Sequence, residues 1–230
     1  MSLVEETPQG EGTLIAFYQR MAAEIDDAGR EALNHIAQAL LERGWVPSGS
    51  AIREQLAEIR SEEQVQNTLD DLCTRRLLEI DPETDKVMSF LGSVSLTRTD
   101  HHVRLESGID LYMRGGMELL AAAPMLGASL TATTKCAQSG QSIVLTLSDD
   151  TITDTEPAGI AGFQMSWDGK GPLDAVYTNS PLFYDDANLD AWLSAHPELE
   201  GLPMSGDLLL FVGMGMSVES GNARFKLIGL

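Results

Sequence analysis

SEEQVQNTLDDLCTRRLLEIDPETDKVMSF, residues 61–90, decides how the first half of the chain folds. Ser61 followed three residues later by Gln64 fits a capping box, in which each side chain satisfies the other's orphan backbone N–H. Val65, Leu69, Leu72, Cys73 and Leu77 then recur at helical spacing and form one apolar stripe. Leu78-Glu79-Ile80 and Val87-Met88-Ser89-Phe90 flank Asp-Pro-Glu-Thr-Asp-Lys, so the stretch ends as two strands around a turn. Working back from Ser61, Ile52, Leu56 and Ile59 predict a short helix after Ser48 and Ser50. Leu33, Ile36, Ala37, Leu40 and Leu41 predict another over residues 30–43, with Gly44 as its stop. Leu14, Phe17, Tyr18, Met21 and Ile25 predict one more over residues 13–28. Helix, short helix, helix and a two-stranded wing is the order of a winged helix. The predicted organisation is a disordered tail over 1–12, a winged-helix-like domain over 13–100 and a second domain over 101–230.

Beyond residue 100 the composition shifts to Gly, Met, Ser and Thr. Residues 109–125 read as an Ala- and Met-rich buried helix. Residues 128–135 and 142–147 read as a hairpin around Cys136-Ala-Gln-Ser-Gly-Gln. Strands are expected over 160–167, 175–177, 208–212 and 224–228, and a helix over 189–196 with Asn188 as N-cap. His101-His102 reads as an exposed linker. Gly213-Met214-Gly215-Met216 lacks the Lys and the strand–helix context of a phosphate loop.

The bulk composition narrows the function. The 230 residues carry a net charge of −20, spread evenly: 9 Lys and Arg against 19 Asp and Glu up to residue 100, and 6 against 16 beyond it. Such a surface repels phosphate, which argues against nucleic acid and anionic membrane as partners. The exposed positions of the 62–76 helix, Glu62, Glu63, Asp70 and Asp71 against Arg75 and Arg76, have the wrong sign for a groove-reading face. A packing or dimerisation module, with a homodimer as the simplest assembly, is the plainer reading. No apolar run approaches the roughly 20 residues a bilayer requires, and the acidic start does not resemble a signal peptide. A cytoplasmic protein is expected. Cys73 and Cys136 are too far apart in sequence to suggest a disulfide framework, and Cys73 belongs to an apolar stripe.

Several segments of the second half resemble the alkylmercury (organomercurial) lyase family. They are Lys135-Cys136-Ala137-Gln138-Ser139-Gly140 with Ile143–Ser148 after it, Glu156-Pro157-Ala158-Gly159, Ala191-Trp192-Leu193-Ser194-Ala195-His196, and Leu199-Glu200-Gly201-Leu202. Their order and spacing, over about residues 105–205, carry the likeness. The resemblance implies an α+β fold, a winged-helix-like domain followed by a lyase core of mixed β-sheet and helices. It also implies a chemistry in which two cysteine thiolates grip mercury and a nearby acid passes a proton to the leaving carbon.

In that register Leu111-Tyr112-Met113-Arg114-Gly115-Gly116-Met117-Glu118 puts Gly115 at the first cysteine position and Glu118 at the acid position. The second cysteine would fall near Tyr177-Thr178-Asn179, where none stands. The resemblance assigns Cys136 to a structural cysteine. A single thiol cannot make the paired attack, so cleavage of the carbon–mercury bond is not expected. The expected function is binding of a small molecule or soft metal ion in the former site, lined by Tyr112, Gly115, Gly116, Thr178 and Asn179. The alternative is a lyase-type enzyme that uses Glu118 for proton transfer on another substrate. Glycine in place of cysteine is expected to open the pocket. Cys136, Met113 and Met117 are the soft-ligand candidates, although methionine more often fills cores. No cofactor is required by the sequence.

Overall fold

A computed structural model describes residues 25–148, 151–166 and 173–205. The helix expected over 13–28, the strands expected over 208–212 and 224–228, and the Gly213–Met216 segment lie outside them, apart from residues 25–28.

The first helix, α1, spans Asp27–Arg43. Asp26 caps it by accepting from the Gly29 N–H, and Gly44 ends it at φ 69° with its N–H on the Leu40 carbonyl. That left-handed conformation is why glycine stands there. α2 covers Gly49–Ala57, capped by Ser48. α3 covers Glu62–Thr74 and carries the reciprocal Ser61–Gln64 capping box. The three helices bury Leu33, Ile36, Ile52, Leu56, Leu69 and Leu72 against one another. β1 (Leu78–Ile80) and β2 (Val87–Phe90) follow as an antiparallel hairpin in which Glu79 faces Ser89.

The hairpin is continuous with a larger sheet. β2 continues into β3 (Val94–Ser95), which pairs with β5 (Asp110–Met113). β4 (His102–Leu105), β6 (Leu130–Lys135), β7 (Ser142–Ser148) and β8 (Thr151–Glu156) complete an eight-stranded sheet in the order β1-β2-β3-β5-β4-β6-β7-β8. Burial alternates along β6 and β7, the pattern of a sheet with one covered face. β9 (Ala161–Met165) is the centre of a second, three-stranded sheet, between β10 (Leu182–Phe183) and β11 (Gly201–Met204). α6 (Asp186–Ala195) packs Trp192 against Phe163 and Phe183, with ring centroids 5.3 and 5.4 Å apart.

The structure departs from the sequence reading at four places. The long helix expected over 109–125 is instead strand β5, a turn at Arg114–Gly116, a 3₁₀ turn over Met117–Ala121 and the short helix α4 (Ala122–Leu126). Gly115 and Gly116 break the helical run, and Asp110–Met113 alternates exposed and buried as a strand does. The strand expected at 175–177 is part of helix α5 (Leu173–Thr178). Asp185, not Asn188, caps α6: its carboxylate accepts from the Asn188 N–H at 2.8 Å. His101 and His102 are not a linker. His102 opens β4 and its Nε2 lies 2.9 Å from Asp110, and His101 is half-buried with Nδ1 2.8 Å from the Thr134 hydroxyl.

Candidate functional site

Two chain segments meet at Gly115. The first is the turn between β5 and the 3₁₀ turn, the second is residues 177–182 between α5 and β10. The Met117 N–H donates to the Ser180 carbonyl at 3.1 Å and ties them. A Cβ on Gly116 would lie 3.0 Å from the Leu182 nitrogen, so the glycine permits a close backbone approach. A Cβ on Gly115 would lie 2.7 Å from the Tyr177 carbonyl oxygen and would collide with Oε2 of Glu118. The space that glycine was expected to open is therefore filled, by the carboxyl three residues further on.

Glu118 is 1% exposed, and among the described residues neither carboxyl oxygen has a hydrogen-bond partner. Burial pushes its pKa up from 4.5 to about 8, against a weaker opposing pull from its own N–H and the Arg114 guanidinium. At neutral pH the group is mostly the neutral acid, able to give up a proton.

An open cleft of about 240 Å³ is lined by Arg114 and Tyr177 and lies between the hairpin and α5. Its walls are Glu79, Met88 and Ser89 of the hairpin, Ser95, Thr97 and Thr99 of the following strand and loop, and Arg114, Tyr177 and Thr178. Arg114 reaches Oε2 of Glu79 at 3.3 Å and donates to the Ser89 hydroxyl at 3.3 Å, and its guanidinium carbon stands 5.5 Å from the Tyr177 ring centroid. Ser89 in turn donates to Glu79 at 3.1 Å.

The site residues named from sequence scatter around this junction. Gly115, Gly116 and Glu118 are buried at it and do not line the cleft, whereas Thr178 does. Asn179 closes α5, its N–H and side-chain amide both donating to the Ala175 carbonyl. Tyr112 instead lines a different groove with Trp45 and Leu96. Met113 and Met117 are fully buried in the core. Cys136 is buried in the β6–β7 turn. Burial alone would raise its thiol pKa, but hydrogen bonds from Ser139 and from the Tyr184 and Gln138 backbone outweigh that and lower it. Cys73, at the end of α3, is half-buried and raised by burial and by Asp70. Both thiols are free, and no group of three or more His, Cys, Asp or Glu among the described residues could hold a metal ion.

Sequence reasoning passed over Arg114, Glu79, Ser89 and Thr97. The available signal was the Glu79–Ser89 pair, which follows once the hairpin register is set, and a lone arginine between Met113 and Gly115.

Residues 94–213 match the model of the family described as MerB, alkylmercury lyase. A solved structure, the mercury-bound form of MerB2, superposes with a TM-score of 0.73 at 19% identity, covering 92% of this chain and 98% of that one. No curated protein sequence matches significantly.

Proposed function

Because the chain belongs to the alkylmercury lyase family, we propose that it uses the family's scaffold to bind a small molecule beside Gly115, without cleaving carbon–mercury bonds. One observation carries this reading: the Glu118 carboxyl lies where a side chain on residue 115 would project. A mercury substrate requires soft thiolates. Position 115 has no side chain, residues 177–179 contain no cysteine, and the two thiols of the chain are on α3 and in the β6–β7 turn. The cleft at Arg114, Tyr177 and Thr178 supplies space and polar groups for an organic ligand. A soft metal ion is the less favoured occupant, since Met113 and Met117 are consumed by the core. The first three helices and the hairpin are read as a winged-helix-like packing module and a cytoplasmic, acidic protein as the setting; a homodimer is the assembly to test. Purified protein incubated with phenylmercury acetate and excess thiol should release no benzene above the protein-free rate. Sustained benzene release would end this reading.

A second reading has its own support. A buried, neutral acid with a pKa near 8 is what a general acid at neutral pH needs. On that reading the chain is a lyase-type enzyme in which Glu118 passes the proton. Glu118→Gln would then keep ligand affinity and lose turnover, whereas equal loss of both would count against it.

A further inference from the structure

Glu118 stands in the place a ligand beside Gly115 would need. Its carboxyl fills the space into which a side chain on residue 115 would project, and the Tyr177 carbonyl oxygen borders the same space. The carboxyl is buried, and both its oxygens lack a hydrogen-bond partner among the described residues. Buried polar groups are nearly always hydrogen-bonded, so an orphaned one holds unfavourable energy that a move into water would release. The neutral acid bears this at modest cost. The carboxylate would face a carbonyl oxygen with no donor bonded to it, and burying an unpaired charge costs far more. Burial accordingly keeps the proton on, with the pKa raised to about 8.

Among the described residues the charged group that acts on Glu118 is Arg114, on the same turn, and its pull is weaker than the effect of burial. The facing residues 177–180 bring one titratable side chain, the Tyr177 phenol. β9 and α4, which also pack on the 3₁₀ turn, contain no ionisable residue. The bond from the Met117 N–H to the Ser180 carbonyl, at 3.1 Å, ties the turn to the facing segment, so that amide reports whether the two are together.

We propose that Glu118 is a proton-operated plug: protonated, its carboxyl closes the space beside Gly115 and lets the 114–118 turn rest on residues 177–180; deprotonated, it leaves for water and parts the two segments. The inference rests on the ligand-binding reading above and names the regulation of that site, which opens as the carboxyl gives its proton to solvent.

Hydrogen exchange on the full chain without ligand tests it, read by NMR at the Met117 amide from about pH 5 to pH 9 and divided by the intrinsic rate at each pH. A solvated carboxyl titrates near 4.5 and the plugged one near 8. The open fraction should therefore rise about tenfold per pH unit between those values, roughly a hundredfold from pH 5 to pH 7, and level off beyond them. The rise should be unchanged in low guanidinium, the mark of a local opening. Glu118→Gln has the same shape and cannot ionise, so its Met117 amide should keep one protection at every pH. A flat parent, or a slope that the variant shares, would overturn the plug. So would a rise that steepens with guanidinium, because the carboxyl would then reach water only when the whole chain unfolds. That measurement needs the parent alone and decides the matter even if Glu118→Gln folds poorly. Benzene release from phenylmercury would end the ligand-binding reading and leave the exchange result as it stands, so the two can fail separately.

Discussion

Replacing Glu118 with glutamine removes a charge that folding suppresses, and the consequence can be worked out against pH. The unfolded carboxyl titrates near 4.5 and the folded one near 8. Below pH 4.5 both states hold the proton and the group is neutral to stability. Between the two values the unfolded chain releases its proton and the folded protein keeps it. The unfolded state therefore binds fewer protons, and stability falls as pH rises. At 1.36 kcal/mol per tenfold, the loss is about 1 kcal/mol at pH 5 and about 4 kcal/mol at pH 8. It levels off once the folded carboxyl also ionises. Glutamine has the same shape and cannot ionise, so Glu118→Gln should gain stability over the parent by about 3 kcal/mol more at pH 8 than at pH 5. Guanidinium unfolding of parent and variant at matched pH values measures it, and the difference between them cancels the other 34 Asp and Glu residues. A difference that stays flat from pH 5 to pH 8, or a variant weaker than the parent at pH 8, would refute the claim that this carboxyl is held neutral by burial.

The remaining predictions concern the same junction and its supports. Gly115→Cys should destabilise the protein by about 1–3 kcal/mol, since the new side chain overlaps the Glu118 carboxyl and the Tyr177 carbonyl; pairing it with Glu118→Ala should recover part of the loss in thermal melts. Asp185→Ala removes the cap of α6 and should cost about 1 kcal/mol, read as a lower denaturation midpoint. Burial lowers the pKa of His101 from 6.5. Below pH 6.5 its unfolded form takes up a proton that the folded form resists, so stability is lost as pH falls there; His101→Asn should flatten that limb of the curve, and an unchanged slope would exclude the assignment.

The parts of the fold set by local physics were legible from sequence. The Ser61–Gln64 box, Gly44 as a left-handed stop and the β6–β7 hairpin around Cys136 depend on residues close together in the chain. Residues 109–125 failed because their apolar content suits helix and strand alike, and the deciding contacts are made with β3 and β4. Residues 175–177 were misread for a related reason: three apolar and aromatic residues cannot distinguish a strand from one turn of helix. At the site, the family register brought out Glu118 and Gly115. It could not show that the acid fills the glycine's space, because that depends on how the backbone bends between residues 114 and 118. Nor could it reveal Arg114 as part of a cleft, since the opposite wall comes from a hairpin about 25–35 residues earlier.

The unbroken strand order has a practical consequence for anyone who cuts this chain. Expressing only the family-matching part, from residue 94 onward, would strip β3 of the partner that holds Ser95 and Val94, and the raw edge would invite pairing between molecules. It would also remove Glu79, Met88 and Ser89, one whole bank of the cleft. A ligand seated there would act as a rivet between the two halves of the molecule, and should slow their proteolytic separation.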